Sequence, residues 1–289
     1  MTFQSFLDAL QSSINARFGD GTTLQYKRIV KNNGVGYTGA YLSCPDRAQR
    51  TQIAYIEPLY HSVECGLPLQ TAAELLLNNI TGPMPEEIMK LDLESYEDVK
   101  DKLFLRLIGK AQNEARMPEL AGREFMDMMI VYSILLSGPG IGNAMTEVSR
   151  KMLELWGVSE EEVYGLAMEN TPKLLPPVMK TLREAAQIPE EPEEIEHIYV
   201  LTNTVSWYGA SAILYSDQVR ALSERYDSDI FILPTSLHET ILIPAGFFSG
   251  DFLSETLRTV NRENVPREDV LTDSLYLFRK ESGRIVMAD

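Results

Sequence analysis

The sequence predicts an α+β protein, and three local patterns support this prediction. Residues 3–18 carry apolar side chains at helical spacing. Asn33-Gly34 separates two strand-like runs, and short apolar runs bounded by Gly, Pro and polar residues recur between His197 and Ala245. Helices and strands therefore follow one another along the whole chain.

The first 80 residues predict a helix, a hairpin, a strand and a second helix. Gly19 stands where the first helix would end, and Asn-Gly is the dipeptide best suited to a tight antiparallel turn. The predicted elements are a helix over 3–18, strands over Leu24–Val30, Val35–Leu42 and Gln52–Ile56, and a helix over Leu69–Ile80.

The middle of the chain is harder to assign, because short apolar runs suit both strands and buried helices. Tyr96 to Leu103 indicates a helix that passes into a strand over 104–108. We interpret the apolar run at 125–136 as a strand. Ser159 and the three glutamates after it have the pattern of a capping box, which predicts a helix over about 160–170, with Pro172 beyond its end.

The C-terminal part predicts a mixed-sheet module of order β-β-α-β-β-α-β-β. Its predicted elements are strands at His197–Asn203 and Ala210–Tyr215, a helix from Ser216 or Asp217 to Asp227, strands at Ile230–Leu233 and Thr240–Ile243, a helix at 252–260 and a hairpin of Leu275–Phe278 with Arg284–Met287. Two prolines and five glutamates make 188–196 the best linker. We therefore predict an N-terminal α+β region at 1–187, an acidic linker at 188–196 and a C-terminal module at 197–289.

Composition limits the classes of protein. The 289 residues are 44% hydrophobic and carry a formal net charge of −16, so bulk electrostatics argue against nucleic-acid binding. Two cysteines give no disulfide framework and favour a reducing compartment. No secretory signal or membrane-spanning run is recognisable, which predicts a soluble cytoplasmic protein that does not bind a membrane.

Several stretches resemble one protein family. They are NNGVGYTG at 32–39, WGVSEEEVYGLAMENTPKLLPP at 156–177, YVLTN at 199–203 and ILPTSLHETILIP at 232–244. They are similar to an uncharacterised family common in anaerobic gut Firmicutes, a domain of unknown function. The resemblance implies a cytoplasmic bacterial protein and no particular activity, cofactor or site residue.

Ser236, His238 and Glu239 are the candidate catalytic residues. A hydroxyl, an imidazole and a carboxylate lie in one short connection. Histidine is the side chain most often used as a general base near neutral pH, so His238 is the preferred candidate for that role. The structural alternative is a turn in which Ser236 caps backbone groups and His238 is half-exposed. Adjacency in sequence does not decide between them, because catalytic triads assemble from separate segments.

The candidate ligand-binding residues are His197, Asn203, Trp207, Tyr208 and Ser216. If the strand at 230–233 runs parallel to the one at 210–215, then His197, Ser216 and Asp217 meet His238 at one end of the sheet. The N-terminus of the helix there would favour an anionic ligand. The three glycines of 137–142 are weaker evidence for a phosphate loop than for a simple connection.

No metal or cofactor site is predicted. Leu242 stands where an H-E-x-x-H motif would need its second histidine. His61 and Cys65 are four residues apart, but two ligands do not make a zinc site, and a buried Cys65 beside a surface histidine is the simpler expectation.

Two functions remain open. The preferred hypothesis is a binding or interaction protein without catalytic activity, whose partner is a protein or a small molecule and whose contact surfaces include 203–209 and 235–239. The alternative is a hydrolase or transferase acting on a small anionic substrate around Ser236, His238 and Glu239. A concave pocket at this turn would favour the enzyme.

Overall fold

The fold is that of a computed structural model, which describes residues 1–18, 23–43, 52–83, 85–137, 144–188, 195–215 and 217–288. It is an α+β fold, as predicted. The chain forms two units, Met1–Met89 and Lys90–Asp289. A short helix, α4 (Glu86–Lys90), contains the boundary between them.

The first unit is a three-stranded antiparallel sheet with helices. Its elements are α1 (Phe3–Phe18), β1 (Thr23–Val30), β2 (Gly36–Ser43), β3 (Ala54–Tyr55), α2 (Ile56–Glu64) and α3 (Leu69–Thr81). The strand order is β1-β2-β3. Phe6, Leu10 and Ile14 of α1 are fully buried with Leu76 of α3, so the apolar stripe of α1 packs into the core of this unit.

The predicted hairpin is confirmed. β1 and β2 pair antiparallel from Thr23↔Ser43 to Val30↔Gly36. The turn is a short 3₁₀ helix (Asn32–Gly34), in which Asn33 and Gly34 have φ of 56° and 69°. Asn and Gly tolerate this left-handed conformation better than other residues, which is why the dipeptide marks the turn.

The predicted third strand at 52–56 is shorter in the structure. Only Ala54 and Tyr55 pair with β2, and helix α2 begins at Ile56. Ile56 is fully buried, so it joins the core as the first residue of a helix rather than as the last of a strand. Cys65, expected to be buried, is exposed just after α2.

The second unit contains a four-stranded and a six-stranded sheet. The strands of the smaller sheet are β4 (Leu103–Gly109), β5 (Gly122–Phe125), β6 (Met128–Ser137) and β7 (Ala144–Glu147). β6 pairs antiparallel with each of the other three. The strand interpretation of 125–136 is therefore confirmed, with a turn at 126–127 that divides the run between β5 and β6.

The larger sheet has the order β13-β12-β10-β11-β9-β8. Its strands are β8 (Pro177–Thr181), β9 (Tyr199–Asn203), β10 (Ile230–Leu233), β11 (Thr240–Pro244), β12 (Tyr276–Arg279) and β13 (Arg284–Met287). Every ladder between these strands is antiparallel. The predicted hairpin of Leu275–Phe278 with Arg284–Met287 is confirmed. The mixed sheet is wrong, because it needed the strand at 230–233 to run parallel to a strand at 210–215.

The helices of the second unit cover these sheets. They are α5 (Tyr96–Val99), α6 (Arg150–Trp156), α7 (Glu160–Leu174), α8 (Leu182–Ala186), α9 (Gln218–Tyr226) and α10 (Gly250–Glu263), with 3₁₀ helices at Lys100–Lys102, Ala111–Arg116 and Gly209–Leu214. Ser159 caps α7 by accepting from the Glu162 N–H, as predicted, but the helix continues through Pro172. Leu105, Val131, Leu201 and Leu242 from the two sheets share one core.

The strand predicted at Ala210–Tyr215 is wrong, because this segment is the 3₁₀ helix Gly209–Leu214. Tyr208 before it has a left-handed φ of 52°. The small residues Gly209 to Ala212 are buried beside β4 and β9. A short apolar run can be buried as a strand or as a 3₁₀ helix. Its pattern therefore does not distinguish the two structures.

The linker at 188–196, between the predicted regions 1–187 and 197–289, stays a prediction. β8 precedes it in sequence and pairs with β9, which follows it, from Pro177↔Asn203 to Thr181↔Tyr199. Residues 189–194 lie outside the described part of the chain, as do residues 138–143 of the glycine-containing stretch.

Candidate functional site

The antiparallel pairing of β9 with β11 places the candidate residues. Thr240 pairs with Leu201, and Leu242 pairs with Tyr199. His238, just before β11, therefore lies beside the end of β9, whereas His197 lies beyond the start of β9. The two histidines are at opposite ends of this strand pair, so the expected meeting of His197 and His238 is wrong.

Both ring nitrogens of His238 have partners. Nδ1 accepts the backbone N–H of Tyr208 at 3.2 Å, and Nε2 lies 3.3 Å from Oδ1 of Asp269. A nitrogen that accepts from an N–H carries no proton, so Nε2 holds the proton of the neutral ring and donates to Asp269. The Tyr208 and His238 rings also stack, with centroids 5.5 Å apart. His238 therefore joins three segments of the chain.

Ser236 interacts with the backbone of its own turn. Its Oγ accepts the N–H groups of His238 at 3.0 Å and of Glu239 at 3.3 Å. This is the arrangement that the structural alternative predicts, since the hydroxyl caps the turn instead of contacting the imidazole. The catalytic assignment of Ser236, His238 and Glu239 stays a prediction.

Asn203 organises the loop that follows β9. Its side-chain oxygen accepts the N–H groups of Val205 and Trp207, and its amide donates to the Trp207 carbonyl at 2.7 Å. Asn203 is 1% exposed. The Trp207 ring lies 4.7 Å from Tyr208 and 6.0 Å from Phe104, so it packs within the protein. The structure thus brings Asn203, Trp207 and Tyr208 to His238.

The remaining two candidates lie elsewhere. The ring of His197 stacks on Phe247 at 3.9 Å, and its Nδ1 lies 3.2 Å from the Tyr226 hydroxyl. That hydroxyl is 2.7 Å from the Tyr199 hydroxyl. Ser216 lies outside the described residues.

A buried arginine beneath Tyr208 was missed by the sequence analysis. Arg106 of β4 is 2% exposed, and its guanidinium lies 4.6 Å from the centre of the Tyr208 ring. It donates to Ser133 at 2.7 Å and pairs with Glu147 at 2.6 Å, and Arg116 pairs with the other oxygen of Glu147. The signal was a lone basic residue in the otherwise apolar strand LFLRLIG.

The two arginines control the charge of Glu147. Burial alone would raise the pKa of its carboxyl, but Arg106 and Arg116 outweigh burial and hold the pKa below its usual range. The carboxylate therefore stays ionised and neutralises the buried guanidinium, which explains how a charged side chain is tolerated in β4.

A cavity of about 740 Å³ opens elsewhere in the second unit. This volume suits a small organic ligand. Its walls come from the 3₁₀ helix Ala111–Arg116, the β5–β6 hairpin, Arg150 and the loop before β12: Lys110, Ala111, Gln112, Glu114, Met117, Gly122, Arg123, Glu124, Asp127, Met129, Arg150, Thr272, Asp273 and Ser274. None of the candidate residues that the structure describes lines it.

Asp127 of this cavity has three hydroxyl partners. Its carboxylate accepts hydrogen bonds from Thr272 at 2.6 Å, from Ser274 at 2.8 Å and from the Tyr276 hydroxyl. Burial alone would raise its pKa, but the hydrogen bonds from Thr272, Tyr276 and Ser274 hold the pKa below its ordinary value. Asp127 is thus a fixed negative charge in the cavity wall.

The loop that binds Asp127 is held from its other side. Asn261 of α10, which is 5% exposed, donates to the Thr272 carbonyl at 2.9 Å and to the Asp273 carboxylate at 2.8 Å. This part of the cavity wall is therefore positioned by the fold itself.

Two of the basic side chains around the cavity are committed to carboxylates. Lys110 pairs with Glu124 at 2.6 Å. Arg123 pairs with Glu160 at 2.8 Å and with Glu161 at 2.7 Å, and its guanidinium lies over the Tyr164 ring. The lining residues include three bases and four acids, so the charge of the wall is negative.

Among the described residues, no group of three or more His, Cys, Asp or Glu is arranged to hold a metal ion. None of the helices that the structure describes is both long and apolar enough to cross a bilayer.

Comparison with protein-family models matches residues 3–280 to a family described as "Family of unknown function (DUF5688)". The chain belongs to this family. The matched range covers nearly all of both units, including the residues that line the cavity and the turn that carries His238. No curated protein and no solved structure matches the chain.

Proposed function

We propose that this DUF5688 protein is a cytoplasmic, non-enzymatic binding protein whose ligand is a small organic cation held in the 740 Å³ cavity. One observation carries the proposal. Asp127 is an ionised carboxylate in the cavity wall, and among the described residues its partners are hydroxyl and backbone groups, with no basic side chain. A protonated amine or guanidinium would supply the missing positive charge.

The rest of the wall supports the same class of ligand. Lys110 and Arg123 are already paired, so they do not neutralise Asp127. Met117 and Met129 offer polarisable apolar surface that adapts to an organic group. The chain as a whole has a formal net charge of −16, which attracts cations and repels nucleic acids.

The alternative of a hydrolase or transferase at Ser236, His238 and Glu239 has less support. Both ring nitrogens of His238 are engaged, and the Ser236 hydroxyl accepts from backbone N–H groups. The turn is also tied to the loop at 203–209, because Ala210 donates its N–H to the Leu237 carbonyl at 3.2 Å. These contacts favour a structural role for both segments.

The test is calorimetric titration with phenethylamine and with 2-phenylethanol, a neutral molecule of similar shape. We expect the amine to bind at least tenfold more tightly, a difference of about 1.4 kcal/mol. Asp127→Asn should remove this preference, and raised ionic strength should weaken it. Glu255→Gln, which removes one exposed charge from α10, is the matched control and should behave like wild type.

Two outcomes would contradict the proposal. Equal affinity for the amine and the alcohol would show that Asp127 does not select a cation. Unchanged amine binding in Asp127→Asn would place the ligand elsewhere, provided that the thermal unfolding transition of the variant shows a folded protein.

A further inference from the structure

A second recess in the same unit has a different chemistry. Its volume is about 530 Å³. Aromatic and aliphatic side chains form most of its wall, namely Phe125, Ile130, Tyr164, Ile213, Leu214, Tyr215, Val219, Phe278 and Ile285. These residues come from β5, β6, α7, the 3₁₀ helix Gly209–Leu214 and the residue after it, α9, β12 and β13, so the recess is built by the tertiary fold rather than by one segment.

Two arginines line this recess, and both are exposed. Arg220 belongs to the first turn of α9, and Arg284 is the first residue of β13. Within the described part of the chain, neither has an ion pair. Arg106 and Arg123, in contrast, both have glutamate partners.

The Arg220 guanidinium lies close to the backbone between β12 and β13. Gly283 has a left-handed φ of 65°, and a Cβ added there would lie 2.6 Å from Nη2 of Arg220. The absence of a side chain therefore lets Arg220 approach the turn next to Arg284. The Arg220 guanidinium also lies 5.8 Å from the centre of the Phe278 ring.

We infer that this recess binds an aromatic oxyanion, a planar ring that carries a carboxylate or phosphate group. The ring would pack against Phe125, Tyr164, Tyr215 and Phe278, as aromatic pairs prefer offset or edge-to-face contacts. The oxyanion would lie between the guanidinium groups of Arg220 and Arg284, whose planar N–H donors match carboxylate and phosphate oxygens. Asp217 is the single acidic residue among the described residues that line the recess.

This ligand is opposite in charge to the one proposed for the 740 Å³ cavity, and the described lining residues of the two sites do not overlap. Binding of an aromatic oxyanion in the 530 Å³ recess is therefore independent of cation binding in the 740 Å³ cavity.

The test is calorimetric titration of the full chain with phenyl phosphate, inorganic phosphate and phenol. We expect phenyl phosphate to bind at least tenfold more tightly than either of the other two, because it alone uses the rings and the arginines together. Arg220→Ala and Arg284→Ala should each weaken phenyl phosphate binding at least fivefold. Both side chains are exposed, so the variants should keep the thermal unfolding midpoint of wild type.

Arg258→Ala, which removes an exposed arginine of α10, is the matched control and should leave phenyl phosphate binding unchanged. Asp127→Asn should also leave it unchanged, which separates this site from the cation site. Equal affinities for phenyl phosphate and inorganic phosphate would overturn the inference. So would equal losses in Arg220→Ala and Arg258→Ala, since the effect would then reflect net charge alone.

Discussion

The backbone N–H of Tyr208 donates to Nδ1 of His238 at 3.2 Å, and this bond joins the loop after β9 to the turn before β11. It also fixes the ring tautomer, so that Nε2–H faces Asp269 at 3.3 Å. Thr202 Oγ1 donates to the His238 carbonyl at 2.7 Å, which adds a second link between the same segments. His238 is thus held by backbone and side-chain contacts together.

His238→Ala should destabilise the protein by about 1–3 kcal/mol, because it leaves the partly buried Tyr208 N–H without its acceptor. His238→Asn retains an acceptor near the position of Nδ1 and should lose less. Urea unfolding monitored by circular dichroism measures both changes. His61→Ala, at a side chain that is 78% exposed, is the control and should unfold like wild type. A His238→Ala protein as stable as wild type would contradict this role.

Gly209→Ala should be strongly destabilising. A Cβ at this position would lie 2.5 Å from the His238 carbonyl oxygen and 2.8 Å from the Asn203 nitrogen, and it would also strike Thr202 Oγ1. The first two are backbone atoms that cannot rotate away, so we expect a loss of about 3 kcal/mol or more in the free energy of unfolding.

The matched control for this change is Gly165→Ala in α7. No heavy atom lies within 4 Å of a Cβ added at Gly165. Alanine forms helices better than glycine does, so the free energy of unfolding of this variant should rise by about 0.5–1 kcal/mol. Urea unfolding of the two variants should therefore move in opposite directions, and parallel shifts would argue against the close approach at Gly209.

Arg106→Met should lower the free energy of unfolding by about 3–5 kcal/mol. It leaves the largely buried carboxylate of Glu147 with Arg116 as its remaining partner. The double variant Arg106→Met with Glu147→Leu should recover part of this loss, since it removes both charges. A double-mutant cycle of unfolding free energies measures the coupling. Additive losses would mean that the pair contributes no coupling energy.

The free energy of unfolding should fall in acid, in part because the Glu147 carboxylate becomes protonated. Burial raises the pKa of this carboxyl, but Arg106 and Arg116 lower the pKa by more than burial raises it. The folded-state pKa therefore lies below the ordinary value of 4.5. A depressed folded-state pKa gives stability that is fully present above pH 4.5 and is lost as the pH falls through the folded-state value. Glu147→Gln should therefore show a shallower loss of unfolding free energy between roughly pH 5 and pH 3.

The control for the pH profile is Glu255→Gln, whose exposed carboxyl lies on α10. Its pH profile should follow that of wild type. If Glu147→Gln and wild type lose stability in parallel over this range, other carboxyls account for the acid sensitivity.

Local patterns predicted much of the secondary structure. Helix α1, the β1–β2 hairpin, the cap of α7 and the strands β10 and β11 follow from side-chain periodicity, turn residues and capping groups, which act over a few residues. The segment 209–214 was misassigned because burial between neighbouring elements decided its conformation. The same error produced the parallel crossover, since a strand was assumed where the chain forms a 3₁₀ helix.

The candidate sites show the same division. The sequence by itself determined the α+β class and the proximity of Asn203, Trp207 and Tyr208 along the chain. Only the tertiary structure decided that His238 meets Tyr208 and Asp269, that His197 lies at the other end of β9, and that Asp127 meets a loop almost 150 residues away. Long-range strand pairing sets these contacts, and no local spacing of residues encodes it.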